Sequence, residues 1–276
     1  MGKRDWIRTF GAPADARHTL APHQPAHRKR QPLASFLHAK APRCSVIFNH
    51  VNAMRPAPKL MSFDVYGTLI NVRDGSYSAF ERILAATDAR NVDVREFWEY
   101  WESRNIAQYL EPYKSYRQIC ETSLSDSFIK FGLTGSPELV NHYFDAFSSF
   151  LPYEDVEPTL DRLAGRYRLA IVSNIDDDLF AATPLGRSFD LVCTAQRARG
   201  YKPDGTLFQY LINNAGVAKD AIFHSGQSQF TDLVGGKPLG LTIAWINRRG
   251  IALHDSVPRP DFVFPDIKSL LDLVET

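Results

Sequence analysis

Short apolar runs that end in polar residues recur along the chain and predict the strands of a sheet. The first run is Leu60-Met61-Ser62-Phe63, and it ends at Asp64. Runs of this length, bounded by turn residues, are typical of strands that are buried within a parallel sheet. The predicted strands lie near 60–64, 168–173, 190–194, 221–225, 241–246 and 262–264.

Helical segments alternate with these strands. They are predicted near 76–87, 158–165, 204–215, 230–238 and 266–274. Because strand-helix alternation is typical of βαβ units, we expect an α/β fold with a three-layer, doubly wound parallel sheet.

The interval between the first two strands is far longer than one crossover requires. Ser173 follows Asp64 by 109 positions. Three stretches in this interval are predicted to be helical: Arg95 to Leu110, Ser115 to Phe131 and Pro137 to Phe150. Its aromatic residues form either a core of their own or a substrate pocket: Phe97, Trp98, Trp101, Tyr109, Tyr113 and Tyr116.

Asp64 is the main candidate for chemistry. Gly67 and Thr68 follow it in a turn. Ligands of doubly wound sheets bind at the carboxyl ends of the strands, which is where Asp64 is expected. A carboxylate there can attack carbon or phosphorus and form an ester that water hydrolyses. The alternative is an aspartate that caps the turn, and Thr68 likewise serves either catalysis or turn capping.

Other strand ends carry complementary groups. Ser173 and Asn174 can bind a carboxylate or phosphoryl oxygen, or cap the next helix. Lys202 can pair with Asp64 and keep it ionised. Asp232 is a second carboxylate that can orient water, pair with Lys202 or bind a cation. Two substrate-binding candidates stand close to it, Gln227 and Ser228.

These motifs together resemble the haloacid dehalogenase superfamily. They are Asp64-Val65-Tyr66-Gly67-Thr68-Leu69, Ser173-Asn174, Tyr201-Lys202-Pro203-Asp204 and Trp245-Ile246-Asn247-Arg248. Because a tyrosine stands two residues after Asp64, the chain most resembles the type II (L-2-haloacid) dehalogenase branch. The resemblance runs from about Lys59 to the C-terminus. It implies a Rossmann-type hydrolase core at 59–74 and 156–276 and a helical cap at 75–155.

The resemblance also separates two reaction types. Metal-dependent phosphatases of the superfamily typically carry an aspartate two residues after the nucleophile and an acidic pair in the last loop. In this chain Tyr66 stands in place of that aspartate, and Gln227 stands in place of one member of the acidic pair. Fewer carboxylates bind Mg²⁺ less well, so no cofactor is expected. A weak site would consist of Asp64, Tyr66 and Asp232. A halide, unlike an alkoxide, leaves without a proton, so displacement at carbon is favoured.

Two departures from the dehalogenase pattern concern the substrate. Family members carry an arginine early in the cap, and the spacing back from Tyr109-Leu110 would place it at about Trp101. The chain has no arginine at that point. We expect Arg104, nearly one helical turn later, to replace it in part. The alternative is a solvated arginine. A tyrosine six residues after the motif lysine is replaced by Phe208.

Composition limits the remaining classes of function. The formal net charge is +1, but residues 1–58 contribute +8 and the rest −7. The acidic body argues against a nucleic-acid partner. No apolar run is long enough to span a membrane. Three widely spaced cysteines favour reduced thiols and a cytoplasmic location.

Residues 1–58 are rich in Pro, Arg and His, and we expect a disordered basic extension. A transit peptide and a basic tail for an acidic partner are alternatives. We favour a third interpretation, in which translation begins at Met54.

The sequence therefore favours a hydrolase that uses Asp64 to displace a substituent from C2 of a small carboxylic acid. The product is a 2-hydroxy acid. A magnesium-dependent phosphatase and an inactive binding protein of the same fold are the alternatives. The oligomeric state stays open, with a homodimer as one alternative.

Overall fold

A computed structural model describes residues 57–274. The predictions for the basic extension therefore lie outside the described residues, apart from its last two positions. Six parallel strands form one sheet in the order β3-β2-β1-β4-β5-β6. Their bounds are β1 Leu60–Phe63, β2 Arg168–Ser173, β3 Leu191–Thr194, β4 Ile222–Gly226, β5 Thr242–Ile246 and β6 Phe262–Phe264. The predicted α/β fold with a doubly wound parallel sheet is confirmed.

The first strand lies at the centre of the sheet. Leu60 pairs with Arg168 of β2 on one side and with Ile222 of β4 on the other. All four residues of β1 are buried, and three of them are apolar, as expected of a central parallel strand. The strand order reverses at β1, so the crevice at its carboxyl end is the expected ligand position.

The helices fall into two groups. Those between β1 and β2 form the insertion: α1 Val72–Ala85, α2 Val94–Gln108, α3 Tyr116–Phe131 and α4 Asn141–Phe144, with α5 Val156–Ala164 leading into β2. The later ones connect strands of the core: α6 Asp177–Ala182, α7 Ala195–Ala198, α8 Thr206–Asn214, α9 Val234–Gly236 and α10 Leu271–Val274. Among residues 57–274 no helix has the length and apolar character needed to cross a membrane.

Local sequence explains the two long helices of the insertion. The Asp93 carboxylate accepts hydrogen bonds from Arg95 N and Glu96 N, which starts α2. Ser115 and Gln118 form a reciprocal capping box at the start of α3. Both helices were predicted to within two residues at each end.

Three predicted helices are broken in the structure. The stretch from Pro137 to Phe150 contains only one short α-helix, α4, between 3₁₀ turns at 137–140 and 145–149. The predicted helix at 230–238 begins as a π-helical turn at 229–233, and that at 266–274 begins as a 3₁₀ turn at 268–270. Apolar periodicity does not separate these tight or wide turns from α-helix, because buried side chains recur at similar spacing.

The aromatic residues of the insertion divide between a core and a cavity wall. Phe97 is fully buried and packs against Phe80 and Phe128. Trp98, Trp101, Tyr109 and Tyr116 are also buried, but they line a cavity that the insertion shares with the sheet edge. The insertion is joined to the core there, since the Tyr201 ring stacks on Tyr109 with centroids 4.5 Å apart.

Candidate active site

Asp64 lies directly after β1 at the carboxyl edge of the sheet. Its backbone N–H donates to Ser225 O at 2.9 Å, which extends the β1–β4 pairing to Asp64. Gly67 has φ +90° and turns the chain sharply, a conformation that glycine adopts without strain. The turn places the Thr68 hydroxyl 2.7 Å from Asp64 Oδ2, to which it donates.

The N–H groups of Thr68, Leu69 and Ile70 in this turn donate to the Val65 carbonyl, so they do not hold the Asp64 charge. The carboxylate is held by two side chains instead, Thr68 and Lys202.

Lys202 connects the two candidate carboxylates. Its ammonium group donates to Asp64 Oδ1 and, at 2.8 Å, to Asp232 Oδ1. The side chain is only 2% exposed, so this is a buried ion triad. Burial alone would lower the pKa of Lys202, but the charges of Asp232 and Asp64 outweigh it and raise the pKa. Lys202 therefore stays protonated.

The two carboxylates differ in their surroundings. Burial raises the pKa of Asp64, Lys202 opposes this in part, and the negative charge of Asp232 adds to the increase. For Asp232, burial is outweighed by Lys202 and His224, which lower its pKa to about 2. As pH falls, Asp64 is thus the first of the two to take a proton.

Asp232 is fixed from several directions. Its Oδ2 accepts the Ser228 N–H at 3.0 Å, and its Oδ1 lies 3.2 Å from His224 Nε2. A Cβ at Gly226 would lie 2.3 Å from Asp232 Cγ, so only glycine permits this approach. The buried His224 also bonds to Ser62 through Nδ1 at 2.9 Å. His224 was not predicted to belong to the site, although it stands in the polar end of a strand.

The predicted anion-binding residues divide into two roles. Ser173 is 1% exposed and lines the cavity, and its hydroxyl has no hydrogen-bond partner among the described residues. Such a group is available to a substrate oxygen. The Asn174 side-chain oxygen instead accepts the Lys202 N–H at 2.9 Å, which positions the lysine loop. Asn174 also lines the cavity.

Gln227 and Ser228 contribute through their backbones as well as their side chains. The Gln227 N–H donates to Thr68 Oγ1 at 2.8 Å.

Tyr66 lines the same cavity, and its hydroxyl bonds to Thr183 at 2.7 Å. Burial raises the pKa of the Tyr66 phenol above its usual range. Tyr66 is consequently a poor proton donor at the position where a phosphatase would carry an aspartate.

The cavity has a volume of about 390 Å³ and opens between the sheet edge and the insertion. Seven predicted site residues line it: Asp64, Tyr66, Ser173, Asn174, Lys202, Gln227 and Ser228. Thr68 and Asp232 lie immediately behind this wall and bond to Asp64 and Lys202.

Arg104 does not belong to this site, and the expectation that it replaces the cap arginine is wrong for this structure. Its guanidinium bonds to Asp126 Oδ2 at 2.9 Å, and it is absent from the cavity wall. Its helix turns it towards α3 instead. The cavity wall contains other charged residues that sequence reasoning missed: Arg73, Asp74, Glu102 and Arg249. The only signal for Arg249 was its place directly after the Trp245-to-Arg248 motif.

The residues fit a magnesium ion poorly. The proposed donors were Asp64, the Tyr66 carbonyl and Asp232. Lys202 donates to both carboxylates, so a cation held by the two would share them with an ammonium group. Both oxygens of Asp232 also accept other protein bonds. Mg²⁺ favours well-placed oxygen ligands, which this arrangement does not leave free.

Known proteins share this fold and are similar in sequence. Residues 61–246 match the family described as haloacid dehalogenase-like hydrolase. The chain belongs to this family. The (S)-2-haloacid dehalogenase of Pseudomonas sp. (strain YL) is 25% identical over 228 residues, which cover 79% of this chain and 95% of the relative. The predicted resemblance to the L-2-haloacid branch is confirmed, and the chain is a hydrolase.

One solved structure and one further relative are also similar to this chain. A solved structure of L-2-haloacid dehalogenase from Xanthobacter autotrophicus, with chloropropionic acid covalently bound, has a TM-score of 0.66 and 23% identity, covering 79% of this chain and 98% of that one. The human N-acylneuraminate-9-phosphatase is 30% identical over 128 residues, 45% of this chain and 52% of the phosphatase.

Proposed function

We propose that this hydrolase removes the halogen from small 2-haloacids through an ester on Asp64. An Asp64 oxygen attacks C2 from the side opposite the halogen. The new C–O bond forms as the carbon–halogen bond breaks, and the halide leaves with the bonding electrons. Water then attacks Asp64 Cγ, and the 2-hydroxy acid departs with an oxygen that belonged to Asp64. The net reaction releases one halide and one proton.

Two features of the site together carry this proposal. Asp64 is oriented for attack, and Tyr66 beside it is a poor proton donor. Asp64 is kept ionised and oriented by Lys202 and Thr68. Tyr66 has its hydroxyl bonded to Thr183 and a raised pKa. Breaking a phosphate ester needs help for the alkoxide that leaves, whereas a halide leaves unprotonated. The site suits displacement at carbon.

The other residues take supporting roles in this proposal. The free hydroxyl of Ser173, with Asn174 beside it, binds the substrate carboxylate. Lys202 balances the negative charge of the reactants, and Asp232 positions the hydrolytic water. The insertion acts as the cap, since its aromatic side chains cover the cavity and exclude bulk water. The covalently bound chloropropionic acid of the Xanthobacter structure is consistent with an ester route.

A phosphatase is the second candidate, because one relative of the chain is the human N-acylneuraminate-9-phosphatase. Its similarity covers less than half of this chain. The same Asp64 would then attack phosphorus. An inactive binding protein is the weaker alternative, since the nucleophile and both residues that hold it are present.

One assay separates these candidates. Chloride release from 2-chloropropionate and phosphate release from an aryl phosphate are measured side by side, each with and without EDTA, for the wild type and Asp64→Asn. We expect chloride release that EDTA does not change and that Asp64→Asn abolishes. Phosphate release that needs Mg²⁺ would replace the dehalogenase proposal with the phosphatase, and no turnover of either substrate would favour the binding protein.

A further inference from the structure

One face of α2 lines the cavity with polar groups that the proposed reaction does not use. Trp98, Trp101, Glu102 and Asn105 follow the spacing at which residues share a helix face, and all four line the cavity. Trp98 is 4% exposed and Asn105 is 2% exposed. Among residues 57–274, neither Trp98 Nε1 nor Asn105 Oδ1 has a hydrogen-bond partner. Unpaired buried polar atoms are costly, so these two point to a ligand.

Two arginines border this face. The Arg73 guanidinium carbon lies 5.5 Å from the centre of the Trp98 ring. Arg249 lies at the exposed rim of the cavity. With the Gln227 amide oriented to satisfy its neighbours, the Gln227 oxygen accepts from Arg249 Nη2 at 3.0 Å and Nε at 2.9 Å. This contact fixes Arg249 and leaves its remaining N–H groups for a ligand.

These charges form a cluster apart from the nucleophile. The pKa of Asp64 responds to Lys202 and Asp232, whereas that of Glu102 responds to Arg73 and Arg249. Burial raises the pKa of Glu102 more than the two arginines lower it. The cluster thus brings two guanidinium groups to the cavity beside the Glu102 carboxyl.

The cavity also has more room than a three-carbon acid needs. A water molecule takes roughly 30 Å³ in the liquid, so the six non-hydrogen atoms of 2-chloropropionate would fill less than half of about 390 Å³. The remaining space is bordered by the donors of the Trp98 indole and the two guanidinium groups, and by the Asn105 oxygen, which can accept from a ligand hydroxyl.

We infer that Trp98, Arg73 and Arg249, with Glu102 and Asn105 beside them, form a second anion-binding subsite, in which the indole and guanidinium N–H groups hold a carboxylate at the end of the substrate remote from Asp64. The preferred substrates are then 2-halogenated dicarboxylic acids. The inference rests on the proposed function, since Asp64 defines the reacting end. A carboxylate fits better than a phosphate dianion, because Glu102 stands among the donors and opposes a second negative charge.

The test compares substrates that differ only in the distal carboxylate. Chloride release is measured for 2-chlorosuccinate against 2-chlorobutyrate, and for 2-chloroglutarate against 2-chlorovalerate. We expect kcat/KM to be about tenfold higher for the dicarboxylate in at least one pair, as charge-assisted hydrogen bonds are strong. Arg73→Gln and Arg249→Gln should each reduce that ratio several-fold, and Arg249→Lys should restore part of it. Arg187→Gln is the matched control, because Arg187 bonds to Asp161 away from the cavity and should leave the ratio unchanged.

A binding measurement separates failure of the subsite from failure of the reaction. Calorimetry on Asp64→Asn compares 2-hydroxysuccinate with 2-hydroxybutyrate. Tighter binding of the dicarboxylate that Arg249→Gln removes supports the subsite even if no chloride is released from any substrate. Equal binding of the two ligands, or equal kcat/KM within both substrate pairs, would overturn the inference. The same holds if the arginine variants with wild-type melting temperatures leave the ratios unchanged.

Discussion

The Gln227 N–H donates to the Thr68 hydroxyl oxygen at 2.8 Å, which commits the hydroxyl hydrogen to Asp64 Oδ2 at 2.7 Å. Thr68 therefore connects the last loop of the site to the nucleophile. Because the hydroxyl oxygen already accepts, its hydrogen is directed at one carboxylate oxygen. That contact leaves the other oxygen to Lys202 and determines which way the carboxylate faces.

Replacing Thr68 by an isosteric residue tests this connection. Thr68→Val keeps the shape but leaves the Gln227 N–H and one Asp64 oxygen without their partner. A hydrogen bond to a charged group is worth about 1.5–3 kcal/mol, so we expect kcat to fall roughly 10- to 100-fold. Thr68→Ser keeps the hydroxyl and should retain most activity. Steady-state kinetics with 2-chloropropionate measure both, and equal activity of the valine and serine variants would contradict the role.

A buried chain from Ser62 through His224 to Asp232 gives a second prediction. His224→Leu removes both contacts of the imidazole and leaves the Ser62 hydroxyl and one Asp232 oxygen less well satisfied. We expect kcat to fall by about tenfold with little change in KM, and unfolding to become easier by about 1–3 kcal/mol. His224→Gln can reach both partners and should restore much of kcat. If both variants lose only stability, His224 supports packing and does not position Asp232.

The shared ammonium group predicts a shift in the pH profile. Activity requires ionised Asp64, whose pKa is raised by burial and further by the Asp232 charge. The acid limb of kcat/KM should therefore lie above the usual range of an aspartate. Asp232→Asn removes the negative charge that raises the pKa of Asp64, while the positive charge of Lys202 still lowers it. The pKa of Asp64 should therefore fall, and the acid limb should move to lower pH. The limb is measured for both proteins with one substrate, and movement to higher pH would contradict the assignment.

Tyr66 provides a test of the reaction type. If it is not a proton donor, Tyr66→Phe should keep kcat for 2-chloropropionate within a few-fold, since only the bond to Thr183 is lost. Thr183 still donates to Leu179 O at 2.9 Å, so its hydroxyl stays paired. A neutral hydrogen bond contributes about 0.5–1.5 kcal/mol, which sets the expected loss of stability. A hundredfold loss of kcat with unchanged melting temperature would show that the phenol takes part in the chemistry.

The sheet and the nucleophile were predictable because both depend on local sequence. A parallel strand that is buried on both faces must be apolar, and its carboxyl end must lie at the ligand edge, so Asp64 followed from the run before it. Lys202 and Asp232 followed from motif order. The described structure places all three within one hydrogen-bonded group.

The cavity wall was less predictable, because it depends on tertiary contacts. Arg104 and Asn105 are neighbours in sequence, yet Arg104 faces Asp126 on α3 while Asn105 lines the cavity. Helical spacing fixes their relative direction but not which face meets the core. Asn174 was expected to bind substrate, but its side chain bonds to the Lys202 backbone. That contact joins two loops that are distant in sequence, so local sequence does not predict it.

The last prediction concerns the oxygen that reaches the product. If Asp64 forms an ester and water attacks its Cγ, the first 2-hydroxy acid released carries an oxygen from the enzyme. A single turnover in ¹⁸O water, with enzyme in excess, should yield mostly unlabelled product, and mass spectrometry should find the label in the peptide that contains Asp64. Asp64→Asn keeps the shape but removes the nucleophile, so it should fold normally and take up no label. Full labelling of the first product, with none in the peptide, would mean that water attacks C2 directly and that Asp64 acts only as a base.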